Sequence, residues 1–397
     1  MSQKPEHRSA RPRFLATFPR SHVFAHRLIA PLALLSFFAA GPSQASPTVS
    51  STSGKTNIAQ AASAETRVKG IVHREWFRFS APEIVPALNR AADQVDQHSS
   101  AAALNILEEI GRPNDPNVLN MMAMAILQSR TKDAIHRAFE THLKAANRGH
   151  PESMNEVGQY LRMGVLGRVD LAKAVDWYER GASAGSADAA TNAGRAYYNG
   201  WLRPIDFYRA HRYYEQAALG GDAWGMQNYG LTFLDGRGTA RDAETGREWV
   251  GRAAKKGLAE AQLSYAELAR KGLGGPLDTP EFVRWARASA DQGYAPALYE
   301  LGMYFLGPED NEPPDPARAA NYLRQAAIKK HPAAQFAYAT LCEQGVGADA
   351  NPVQAFLYYS LALRSGQKKA QERLERLRAS MTEEDLATAR RLVSAAS

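Results

Sequence analysis

The chain has 397 residues, 45% hydrophobic and 22% charged, enough for two or three compact domains or one elongated array. Its single cysteine excludes an internal disulfide framework and any cysteine-rich metal cluster. The net charge of +7 is concentrated at one end: six Lys/Arg and one Glu fall in residues 1–45, leaving +2 on the other 352. The body therefore offers no bulk electrostatic case for a nucleic-acid partner.

Residues 28–40 form an uncharged apolar run, shorter than the roughly 20 residues a bilayer span needs. Arg20 and Arg27 precede it and Ser43-Gln44-Ala45 follows, which predicts a secretory signal over 1–45, cut after Ala45. An uncleaved anchor is the competing reading, and the long basic front end leaves the start codon open. The expected product is exported, periplasmic or secreted, with no stable membrane span after cleavage. Residues 46–80 read as a Ser/Thr/Ala-rich tether that cannot offset its ordering entropy, ending in an aromatic arm around Trp76-Phe77. That arm either packs on the first helix or stays free. Residues 81–148 read as degenerate helical repeats and 367–397 as capping helices, with Thr382-Glu383-Glu384-Asp385 resembling a capping box.

Between them, over 149–366, three columns share one period of about 36 residues. The first is Gly149, Gly185, Gly221, Gly257, Gly293, Lys330 and Gly366; the second is Trp177, Tyr213, Trp249, Trp285, Tyr322 and Tyr358. The third, Asp170, Asp206, Asp242, Asp278, Asp315 and Asn351, suits the N-cap of a second helix in each unit. The glycine suits a left-handed helix end. The aromatic column is expected to be buried between the two helices. Phe282, where other units have Ala or Gly, and Ala269 and Cys342, where others have Leu161, Tyr197, Phe233 and Phe305, depart from the pattern and put local packing in question.

Segments such as VDLAKAVDWYERGASAGSADAATNAGRAYYNG resemble the Sel-1-like repeat, a relative of the tetratricopeptide repeat. The resemblance implies an all-α, right-handed α-solenoid of antiparallel helix pairs. It also implies a scaffold rather than an enzyme, without cofactor, whose partner is another envelope or secreted protein in regulation or assembly. Two other functions stay open: a cell-wall enzyme that binds penicillin or hydrolyses β-lactams, and a secreted effector that binds host proteins. The chemistry for the first is thin. Ser365-Gly366-Gln367-Lys368 matches an S-x-x-K spacing without a second motif, His136 and His142 are six apart, and Cys342 sits in a core column. No metal or catalytic residue is expected.

A partner should meet the concave side, lined by the first helices, at columns that vary between units. Trp224 stands three residues past its glycine, where other units have Glu152, Asp188, Glu260, Pro296 or Ala333, and is the leading candidate anchor. Its alternative is to tuck against Tyr213 or a neighbouring loop. Asn192, Arg195, Asn228 and Tyr299 complete a predicted polar-aromatic strip.

Overall fold

The computed structural model describes residues 72–201, 204–307 and 313–396. The expected signal, its cleavage point, most of the tether and the insertion near Pro308 lie outside them. The described residues are helical throughout, with no strand among them. After short 3-10 segments at Arg74–Phe79 and Pro82–Ile84 come α1 (Val85–Asp96), α2 (Ser100–Glu109), α3 (Pro116–Gln128) and α4 (Ala134–Asn147). Six pairs follow: α5 (Pro151–Met163) with α6 (Leu171–Ser183), α7 (Ala187–Tyr198) with α8 (Phe207–Leu219), and α9 (Ala223–Asp235) with α10 (Ala243–Lys255). Then come α11 (Ala259–Lys271) with α12 (Thr279–Asp291), α13 (Ala295–Leu306) with α14 (Pro316–Ile328), and α15 (Pro332–Gln344) with α16 (Pro352–Arg364). Helices α17 (Ala370–Ser380) and α18 (Glu383–Ala395) both pack on α16 and cover its open side.

Each helix packs on its sequence neighbours, and first helices also touch one another across units, α5 on α7 and α7 on α9. That second contact puts the first helices on the inner side of the curve. The N-cap column performs as expected: each Asp or Asn from Asp170 to Asn351 accepts the backbone N–H three residues on. The anchor column is left-handed at every position, including Lys330 at φ +63°. A side chain there costs about 1–2 kcal/mol, which is why glycine recurs.

The aromatic column is not where the core lies. Trp177 is buried, but Tyr213, Trp249, Trp285, Tyr322 and Tyr358 are half-buried. They sit at the seam between paired helices, under arginines in several units: Arg180 lies 3.8 Å from the Trp177 ring centre and Arg252 4.2 Å from that of Trp249. The buried position is the next residue: Tyr178, Tyr214, Val250, Ala286, Leu323 and Tyr359, none more than 3% exposed. One helical step of 100° turns the second column inward. Glycine opposite makes room for it. A Cβ on Gly158 would fall 2.5 Å from Tyr178, and one on Gly194 would fall 2.6 Å from Tyr214.

Both departures from the pattern are compensated. Phe282 is fully buried and lies one turn before Ala286, the smallest residue of the buried column. Other units place the small residue first and the large one second; this helix exchanges them and keeps the volume. Ala269 and Cys342 remove the ring on which the seam aromatic would rest. Tyr265 and Tyr338, one turn earlier on the same helix, supply it: Trp285 meets Tyr265 edge-on at 5.6 Å and Tyr358 meets Tyr338 at 5.0 Å.

Candidate functional site

On the inner face, α7, α9 and α11 bring three side chains together. The exposed Arg195 guanidinium lies 5.8 Å from the ring centre of half-buried Trp224. Burial pushes the Glu260 carboxyl up to about 7, opposed by the positive charge of Arg195 and a hydrogen bond from the Tyr294 hydroxyl. A flat cation, an indole face and a carboxylate on three successive units can engage a peptide by stacking, hydrogen bonds and charge.

The other predicted residues are placed differently. Asn192 is buried, and its Nδ2 donates to Asn155 Oδ1 of the preceding unit at 2.8 Å, so it joins repeats rather than facing solvent. Asn228 is half-buried on α9, beside the group. Tyr299 lies two units beyond Trp224 and stacks on His331 at 4.9 Å, where burial raises its hydroxyl pKa.

The aromatic arm is a docked element. Phe77 is buried with Leu88, Leu107 and Val118. Asn117 donates to the Trp76 carbonyl at 3.1 Å and to Ser80 Oγ at 2.8 Å. The Trp76 ring reaches Gly185, where an added Cβ would stand 3.3 Å from it. Ahead of it, His73 Nδ1 hydrogen-bonds Glu75 at 2.9 Å, while Nε2 faces Asp188 at 3.6 Å and Glu152 at 4.0 Å. The nearby Asp188 carboxylate, opposed by desolvation, leads the rise of the His73 pKa to about 10; the charge of Glu152 adds to it. Glu152 rises to about 7 and Glu156 to about 8 through burial, with neighbouring carboxylates adding to it.

Two further histidines support this end. His150 caps α5: its Nδ1 accepts the Ser153 N–H at 3.1 Å, so Nε2 carries the proton and donates to Asn117 Oδ1 at 3.2 Å. His142 is 2% exposed, with Nδ1 3.4 Å from Ser153 Oγ. Burial lowers both pKa values to about 3. Nothing in the 36-residue columns singled these histidines out. The residue after each anchor glycine, which is His150, Ser186 and Asp222 in the first three units, was a capping signal that could have flagged His150.

The remaining candidates for chemistry are structural. Cys342 is buried and burial raises its thiol pKa, so little thiolate forms. Ser365 ends α16 with its hydroxyl directed to Gln335 Oε1 at 3.4 Å, and Lys368 is exposed. No helix among the described residues is long and apolar enough to cross a membrane.

No curated protein matches the chain in sequence. Among solved structures, a Sel1 repeat protein from Oxalobacter formigenes is 20% identical, with a TM-score of 0.59 over 87% of this chain and 99% of its own. The protein c5321, described as a protective antigen present in uropathogenic Escherichia coli strains displaying an SLR fold, is 22% identical. Its TM-score is 0.57 over 82% of this chain and 72% of its own. These likenesses establish a shared solenoid. The Sel1 repeat model matches six times, at residues 151–186, 187–222, 225–258, 259–294, 295–331 and 332–367. Sel1 repeat proteins are in general scaffolds that bind protein partners. With more than half of its length in these matches, the chain belongs to the Sel1 repeat family.

Proposed function

We propose that this protein is a non-catalytic scaffold of the bacterial cell envelope, a regulatory or assembly factor that holds another envelope or secreted protein on its inner face. The observation that carries the reading is the Arg195–Trp224–Glu260 group, which places a cation, an aromatic face and a carboxylate on three adjacent first helices. The apolar run and the following Ser43-Gln44-Ala45 support export. Anchors of this kind concentrate binding energy, and truncating one costs about 2 kcal/mol or more, roughly thirtyfold in affinity.

The test is capture of partners from envelope extract with tagged wild type and Trp224→Ala, alongside thermal melting of both. The expected result is loss of the captured partner with an unchanged melting temperature. A lowered melting temperature would make Trp224 a packing residue. Undiminished capture would move the partner surface elsewhere.

A further inference from the structure

Three elements far apart in sequence converge at the start of the array: the segment before the first 3-10 turn, the first turn of α5 and the first turn of α7. Each delivers one metal-ligating atom, from His73, Glu152 and Asp188, and the three atoms lie within 4.8 Å of one another. We propose that these residues bind a divalent transition-metal ion of the zinc class, which clamps the N-terminal segment onto the first two repeats.

The spacing carries the argument. An imidazolium bound directly to carboxylates closes to about 2.7–2.9 Å. Here Nε2 stands off at 3.6 Å from Asp188 and 4.0 Å from Glu152, while Nδ1 makes a full hydrogen bond to Glu75 at 2.9 Å. Ligands around a tetrahedral ion, each at about 2.0–2.1 Å from it, lie roughly 3.4 Å apart. Side-chain movements of about an ångström or less per ligand therefore bring the three atoms around one ion. With Nδ1–H donated to Glu75, the Nε2 lone pair points between the other two carboxylates. This is how an outer carboxylate orients a ligating histidine.

The surroundings favour the same occupant. Glu152 is 7% exposed. The recess also takes in Glu156 and His142, with no lysine or arginine in its lining. Three carboxyl groups there face imidazoles as their only basic neighbours, and a 2+ ion would hold them ionised without a proton on each. Donors of one imidazole and carboxylate oxygens match zinc or manganese, with water to complete the coordination. Because a proton on Nε2 competes with the ion, binding strengthens with pH.

The test titrates zinc chloride into the untagged full chain, previously stripped with chelator, by calorimetry at pH 7.5, with magnesium chloride as the hard-cation control. One zinc per chain should bind and raise the melting temperature, with magnesium at least tenfold weaker. His73→Ala and Asp188→Asn should each weaken zinc at least tenfold and abolish the melting shift. Glu75→Ala, on an exposed side chain that leaves the fold intact, should weaken zinc roughly tenfold through lost orientation of His73. His136→Ala should change nothing. The proposal is overturned if the wild type binds no zinc, if zinc and magnesium bind alike, or if His73→Ala, folded by circular dichroism, binds zinc like the wild type.

Discussion

The two ends of the inner face are built on different physics. From α9 onward the array is held by apolar volume in register: Leu234, Val250 and Leu268 in one cluster, Phe282, Leu301 and Leu323 in another. From the arm to α7 apolar clusters such as Phe77, Leu88 and Leu107 share the interior with buried titratable and amide groups, with Asn117, Asn120, His142, His150, Glu152 and Asn155 all under 9% exposed. Packed volume is indifferent to pH and tolerant of rearrangement if the total is kept. Buried polar networks are exacting, since each unsatisfied member costs the full desolvation penalty. Repeats of one family can thus be robust at one end and conditional at the other.

The largest effect should come from breaking the apolar end. Phe282→Ala should destabilise by about 3–5 kcal/mol in urea unfolding. Adding Ala286→Leu should recover part of that loss, because it restores the small-then-large order of the other units. If the double variant is no better than the single, the volume exchange is not what holds α12.

The next effect is confined to the polar end. His142 and His150 have depressed folded pKa values near 3, so their contribution is fully present above pH 6.5 and is lost as pH falls toward 3. At pH 5 that amounts to about 2 kcal/mol for each group. Glu152 and His73 have raised values and work in the opposite sense. Their contribution is present at low pH and is lost as pH rises, through about 7 for Glu152 and about 10 for His73. Amide exchange should show the first units opening in acid before those beyond α9. His150→Asn keeps a capping acceptor and removes a titrating ring, so it should flatten the acid limb. An acid transition uniform along the chain would contradict the contrast.

A finer test separates seam from core on the second helices. Tyr178→Ala should cost about 3–5 kcal/mol, whereas Trp249→Ala should cost about half of that, because part of the indole is already in contact with water. Equal losses would return the aromatic column to the core. The smallest expected effect is a gain: Lys330→Gly should stabilise by about 1 kcal/mol by relieving a left-handed lysine. A loss would show that the lysine side chain contributes more than its backbone costs.

The repeat was legible because its period, caps and anchor glycines are local rules repeated six times. The buried column was not, because Tyr, Tyr, Val, Ala, Leu and Tyr share no chemistry. What unites them is volume matched to a facing Gly158 or Gly194 or, for Ala286, to Phe282 one turn earlier on its own helix, which only packing reveals. Trp224 was legible as the outlier in its column and Arg195 as part of a polar-aromatic strip, and α7 and α9 bring them together. Asn192 was misjudged because a polar residue on a first helix also serves to join units. The docking of His73 on Asp188 was invisible for a further reason: it happens once, between residues more than a hundred positions apart, and no periodicity encodes it.

The loops within the third, fourth and sixth units hold a consequence for mechanics. Gly238, Gly274 and Gly347 press on the backbone of the previous second helix so closely that a Cβ would lie 2.0, 2.0 and 2.1 Å from the carbonyl oxygens of Phe207, Ala243 and Pro316. At the same place the first unit has Leu166, a side chain that such an approach does not admit. Backbone wedged on backbone resists rotation between neighbours more firmly than side chains alone. The second to fourth units, and the fifth with the sixth, should therefore each turn as one stiff block. Pulled or bent by a bound partner, each block would move as a whole, and a side chain placed at 238, 274 or 347 is a way to loosen it.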